Sequence, residues 1–286
     1  MKQIKTVIPA TSRSHWVGDG FNVRPVFANL AFTETISPFL MFDYAAPREF
    51  AATEDKRGVG PHPHRGFETV TIAFQGEVEH GDSAGHRGVI GPGDVQWMTA
   101  ASGIVHEEYL SRAFLKRGGV LEMAQLWVNL PARNKMTAPK YQPILGRDIP
   151  VIALPDNAGP VRVIAGSFAG TQGAASTFTP VNLWDIKLMA GKEVELEVPA
   201  GHTAMLFARL GRIAVGGAEI GEADLAILER DGSCIKLQVL EDASLLLMGG
   251  EPIAEPIVVS GPFVMNTEQE IRQAMTDYHS GRMGVL

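Results

Sequence analysis

Along residues 68–82, ETVTIAFQGEVEHGD, apolar and β-branched side chains alternate with polar ones, and Gly76 interrupts the run. A second such run, GVIGPGDVQWMTA at 88–100, follows a Gly-Pro-Gly turn, and VLEMAQLWVNL at 120–130 is a third. Period-two alternation in short runs, separated by glycine turns, predicts an all-β sandwich or barrel. Helical signals are few. The clearest is NTEQEIRQAMTDYHSG at 266–281, where Asn266 or Thr267 can cap, Glu270 follows Thr267 by three, and Gly281 can stop the helix. The stretch 131–150, PARNKMTAPKYQPILGRDIP, carries four prolines and little periodicity, and reads as a connection. Beyond it the β pattern resumes, and the two halves match loosely. GEVEHGD followed by VIGPGDVQWM resembles GRIAVGG followed by EIGEADLAIL, so that Gly76 aligns with Gly211 and Asp94 with Asp224. The expectation is two tandem antiparallel β-barrels, residues 1–135 and 136–286.

The chain of 286 residues is long enough for two domains, and 45% hydrophobic residues supply ample core. A net charge of −7, with no cluster of basic residues, argues against a direct grip on nucleic acid. A lone cysteine, Cys234, excludes an intrachain disulfide and suits a reducing compartment. The N-terminus lacks the apolar run of a signal peptide, and no apolar stretch is long enough to span a membrane. A cytoplasmic protein is expected.

Candidate chemistry concentrates at GPHPHRGFE, residues 60–68, where two of the eight histidines stand two apart. Residues i and i+2 of a strand share a face, so His62 and His64 can present both imidazoles to one interior. GIVHEEY repeats the spacing with His106 and Glu108, while alternation turns Glu107 away. Two antiparallel strands side by side would gather three nitrogens and one carboxylate. That donor set suits a divalent transition metal, Fe(II), Mn, Ni, Cu, Co or Zn, and is too rich in nitrogen for Mg or Ca. Surface turns also hold such pairs by accident, and the second pair is what favours a metal. Phe67, Trp97 and Met98 are candidates to line an apolar pocket, and core packing accounts for them equally well. Arg65 and Glu68 are candidates for the layer behind the ligands, Glu68 either orienting an imidazole or pairing with Arg65. His80 and His86, in the polar EHGDSAGHRG, read as solvated, and the isolated His15, His202 and His279 as without a metal role. In the second half the positions matching His62 and His64 fall near Glu197 and Pro199, and those matching His106 and Glu108 near Lys236 and Gln238. No ligand set survives there.

The chain resembles the pirins of the cupin superfamily. The resemblance rests on HPHRGFETVT (62–71), GEVEHGDSAGH (76–86), GDVQWMTAASGIVHEE (93–108), SPFLMFDYAAP (37–47) and GPFVMNTEQEI (261–271), and so extends over nearly the whole length. It implies two antiparallel barrels facing each other, a bicupin. It also implies one metal, usually iron, in the N-terminal barrel, on residues matching His62, His64, His106 and Glu108. Glu107 stands where the family often has serine. Two roles are implied. One is a quercetin 2,3-dioxygenase, which opens the central ring of a flavonol with O2 and releases carbon monoxide, with Glu108 accepting the proton of the flavonol 3-hydroxyl. The other is an iron-dependent, redox-sensitive regulator that acts through a protein partner without turnover.

Overall fold

The computed structural model describes residues 1–28 and 33–286, and every sheet in it is antiparallel. The chain divides into two compact units that interleave in sequence. One, the N-terminal barrel, comprises residues 12–28, 39–146 and 253–286; the other comprises residues 1–11, 33–38 and 147–252. The change of unit at mid-chain falls between Gly146 and Arg147, inside the proline-rich stretch 131–150, and the Lys140–Ile144 strand still pairs with Val95–Thr99. The last 34 residues return to the N-terminal barrel.

That barrel is built from two sheets. The larger runs Lys140–Ile144, Val95–Thr99, Phe67–Gln75, Gly119–Asn129, Phe39–Phe50, Phe21–Phe27 and His15–Val17; the smaller runs Gly58–His64, Ile104–Leu110, Val78–Asp82 and Arg87–Ile90. Phe67–Gln75 is buried on both faces over its first seven residues, which explains why polar Thr69 and Thr71 occur inside an otherwise apolar strand. Gly76 has φ +80° and turns this strand into Val78–Asp82, with Leu121 so close that a Cβ would stand 2.9 Å from its side chain. Between the sheets one end is apolar, closed by Val23, Ala45, Ala73, Val78, Ile90 and Leu110 among others.

The second unit repeats the design. Its large sheet runs Ile4–Ile8, Leu225–Leu228, Thr203–Leu210, Ala243–Gly250, Val181–Leu188, Pro160–Ala165 and Val151–Ala153; its small sheet runs Glu193–Glu197, Cys234–Val239, Ile213–Val215 and Ala218–Ile220. The strands that correspond to Gly58–His64 and Ile104–Leu110 are therefore Glu193–Glu197 and Cys234–Val239. Their inward positions, Val194, Leu196, Ile235 and Leu237, all join the apolar core. Hydrocarbon fills the place where the first barrel gathers histidines.

The returning C-terminal segment carries the expected helix, Glu268–His279. Thr267 Oγ1 accepts from the Glu270 amide at 3.2 Å, and the Glu270 carboxylate accepts from the Asn266 amide at 3.0 Å, a reciprocal cap. Ile271 and Ala274 pack with Val105, Phe263, Met265 and Met283. An ion pair of Arg65 and Asp277 at 2.9 Å ties the helix to the loop after His64, with side chains only 5% and 11% exposed. Lys135 is fully buried and donates to the carbonyls of Gly66 and Val264 and to Asn129 Oδ1. Gly66 itself has φ +89°, and Val264 O would lie 1.9 Å from any Cβ added there. Asp277→Ala leaves Arg65 buried without its counter-charge, and urea unfolding should show a loss on the order of 3 kcal/mol. A loss within experimental error would mean that solvent already screens the pair.

Candidate metal centre

The central strand of the small sheet, Ile104–Leu110, pairs on one side with Gly58–His64 and on the other with Val78–Asp82. His106 lies opposite His62 and Asp82, and Glu108 opposite His80. The imidazoles of His62, His64 and His106 converge, with ring centroids 4.2 Å apart for His62 and His106 and 4.9 Å for the other two pairs. One ligand atom from each lies within 4.8 Å of the others. His80, His106 and Glu108 form a second group by the same measure. The four expected ligands are therefore divided between two overlapping triads that share His106, and His80 completes the second.

A shift of register accounts for this division. Past His106 the pairing slips, so that Glu108 faces Val59 rather than Gly60. Pro61 and Pro63, which lack amide hydrogens, flank His62 at this bulge. Glu108 is also drawn toward the large sheet. Gln96 Nε2 donates to its Oε1 at 2.6 Å, Gln125 Nε2 to its Oε2 at 2.9 Å, and Thr71 Oγ1 to Oε1 at 3.3 Å. Thr71 pairs with both Gln96 and Gln125, so one rung of the sheet supplies all three donors. These three donors fix the orientation of the carboxylate.

The imidazoles are oriented as ligands. His62 Nδ1 donates to Gly60 O at 2.9 Å and His64 Nδ1 to Pro262 O at 3.3 Å, since a carbonyl can only accept. Both Nε2 atoms are thereby left with lone pairs to give. Burial, with the neighbouring His62, pulls His64 down to about 3, and burial with His64, His62 and His80 pulls His106 well below its ordinary value. Both are neutral at pH 7. His106 is 1% exposed, yet neither of its ring nitrogens has a hydrogen-bond partner, and neither does His80 Nδ1. Buried nitrogens without partners are costly and rare. A transition-metal ion fits these residues: the donors are imidazole and carboxylate without sulfur, and His80 and His106 each have an unbonded ring nitrogen that can offer a lone pair.

The remaining candidates are placed as follows. Phe67 touches the site, with its ring 5.0 Å from His64 and 4.3 Å from Trp127, which itself stands 5.2 Å from His64. Met98 lies two residues beyond Gln96 on the same face and packs with Ala100, Ile104 and Tyr141. Trp97 is on the opposite face of that strand and fully buried. Glu68 also stands on that far face, accepts from Thr99 Oγ1 at 2.7 Å, and bonds to no histidine. Arg65 donates to Ser102 O and to Asp277. His86 remains partly exposed, but His80 is 1% exposed, against the solvated position its polar surroundings suggest. Its Nε2 bonds Asp82 Oδ2 at 3.2 Å, and its ring stacks on Tyr141 at 4.6 Å and 9°. Burial alone would raise the Asp82 carboxyl, but its bonds from His80 and His86 hold it below its ordinary value. The signal for His80 was present as a third i, i+2 pair, His80 and Asp82 in VEHGD. Thr71, Gln96 and Gln125 gave no comparable signal.

Two family profiles match the chain, Pirin over residues 20–128 and the Pirin C-terminal cupin domain over residues 183–284. A Pseudomonas aeruginosa protein named "Putative quercetin 2,3-dioxygenase" is 52% identical over 282 residues, covering 99% of this chain and 98% of its own. A tomato (Solanum lycopersicum) pirin-like protein is 38% identical over 277 residues, covering 96% and 90%. The crystal structure of a quercetin 2,3-dioxygenase from Acinetobacter baumannii superposes with a TM-score of 0.96 at 49% identity, covering 99% of each chain.

The buried Glu68 provides a test that is separate from the metal. Burial pushes its carboxyl up to about 7, with the Thr99 hydrogen bond opposing. A raised carboxyl stabilises the fold fully below the unfolded value and loses that contribution as pH rises through about 7. Glu68→Gln should match wild type at pH 4 and exceed it at pH 8 by up to about 3 kcal/mol, read from urea unfolding at both pH values. A parallel offset at both values would show that the carboxyl does not titrate in this range.

Proposed function

The chain belongs to the pirin family, and from that footing we propose that it is a metal-dependent dioxygenase which opens the central ring of a flavonol such as quercetin with O2 and releases carbon monoxide. The metal, Fe(II) first among the divalent ions the donors suit, is held by His62, His64, His106 and Glu108 in the N-terminal barrel. The observation that carries this reading is the meeting of three imidazoles, two buried and the third half-buried, with a buried carboxylate beside nitrogens that no hydrogen bond satisfies. The two similar proteins named for quercetin 2,3-dioxygenase activity support the substrate class.

When bound, the ion supplies Lewis acidity at the flavonol 3-hydroxyl and a site for O2 chemistry. The protein's own residues do the rest. His62 and His64 are aimed by the carbonyls of Gly60 and Pro262 and need no reorganisation to present Nε2. Glu108 accepts the hydroxyl proton as general base. Gln96, Gln125 and Thr71 position its carboxylate, and a proton gained on one oxygen can be accommodated by releasing the 3.3 Å bond from Thr71 while the amides remain. Phe67 and Trp127 offer aromatic surface beside His64 for a flat substrate.

An anaerobic sample mixed with quercetin and then exposed to air should lose quercetin absorbance and release carbon monoxide. Glu108→Gln, which removes the base, should slow turnover by roughly 10²- to 10⁴-fold. Wild-type protein that holds its metal yet consumes no flavonol would overturn the enzyme reading and favour the regulator.

A further inference from the structure

Glu108 also groups with His106 and His80, a triad that overlaps that of His62, His64 and His106. We propose that the N-terminal barrel contains a second, inner metal position formed by His80, His106 and Glu108, which overlaps the outer position of His62, His64 and His106 and takes the same class of divalent transition metal. The inference rests on the reading of this barrel as a metal centre, and adds to it a ligand and a place.

Four features of His80 support it. It is 1% exposed, and its Nδ1 has no partner. Its Nε2 bonds a carboxylate, Asp82 Oδ2, at 3.2 Å, the arrangement that fixes the tautomer and orientation of metal-binding imidazoles. Asp82 is itself anchored, accepting from the amides of Ala84 and His86 and from the His86 ring. Tyr141 stacks on the imidazole at 9° and fixes its plane. On the neighbouring strand Glu108 pairs opposite His80, and its carboxylate accepts from Gln96 and Gln125.

The two positions share His106, and the donors of both together carry a single carboxylate charge. Two dications a few ångströms apart would repel strongly against so little compensation, so one ion occupies one position at a time.

Cobalt(II) binding, read by competition with a chromophoric chelator and by the visible spectrum, tests this with the full chain. The His62→Ala/His64→Ala double variant should still bind cobalt, about 10- to 100-fold more weakly than wild type. Adding His80→Phe, which preserves the stack on Tyr141, should then abolish binding. If the double variant fails to fold, as judged by circular dichroism and thermal unfolding, His62→Ala alone with and without His80→Phe makes the same comparison. A folded double variant without cobalt, or one whose affinity and spectrum ignore His80→Phe, would overturn the inner position and leave the outer one standing. Wild-type protein that binds no cobalt would overturn both.

Discussion

The Ile104–Leu110 strand is hydrogen-bonded along both edges, and the metal centre depends on this double pairing. One edge brings His62 against His106, the other brings His80 against Glu108 and Asp82 against His106. Because side chains alternate, a slip of one residue in either pairing would turn His106 and Glu108 out of the barrel together. The register is fixed from outside the strand as well. Val105, the neighbour of His106 on the opposite face, packs into the cluster built on the C-terminal helix, and its amide donates to Ser83 Oγ. The last 34 residues therefore support the candidate metal site without contributing to either triad.

This arrangement concentrates cost in a small volume. Each buried polar atom without a partner costs roughly 1–3 kcal/mol, and His80 and His106 contribute three such atoms. The surrounding fold offsets this with an apolar cluster at one end of the barrel and with the Arg65–Asp277 and Lys135 tethers near the other. Where the second barrel repeats the topology, it fills the equivalent place with Val194, Leu196, Ile235 and Leu237 and needs no such compensation. The same scaffold gathers the candidate ligands in one copy and fills the equivalent place with hydrocarbon in the other.

Period two made much of this legible. Alternation exposed the strands, the tandem repeat, and the pairing of His62 with His64 and of His106 with Glu108, because spacing alone determines which side chains share a face. The cap at Thr267 was equally readable, being local. Other features depend on sheet partners distant in sequence. Trp97 and Met98 are adjacent, so only one of them can face the metal, and the register with Thr69 and Val70 gives that place to Met98. Glu68, expected behind the ligands, points to the far face with Trp97. His80 was obscured by its polar neighbours, since burial in a turn-rich segment is set by what covers it, here Tyr141 from a strand sixty residues on. The bulge that divides the ligands into two triads is a property of two strands together.

The most direct test of the account is elemental analysis of the purified protein beside its His106→Ala variant, because His106 belongs to both triads. Wild type should carry about one transition-metal ion per chain, and the folded variant essentially none. Equal metal in the two proteins, or none in wild type after reconstitution with Fe(II), would contradict the claim that this barrel is a metal centre.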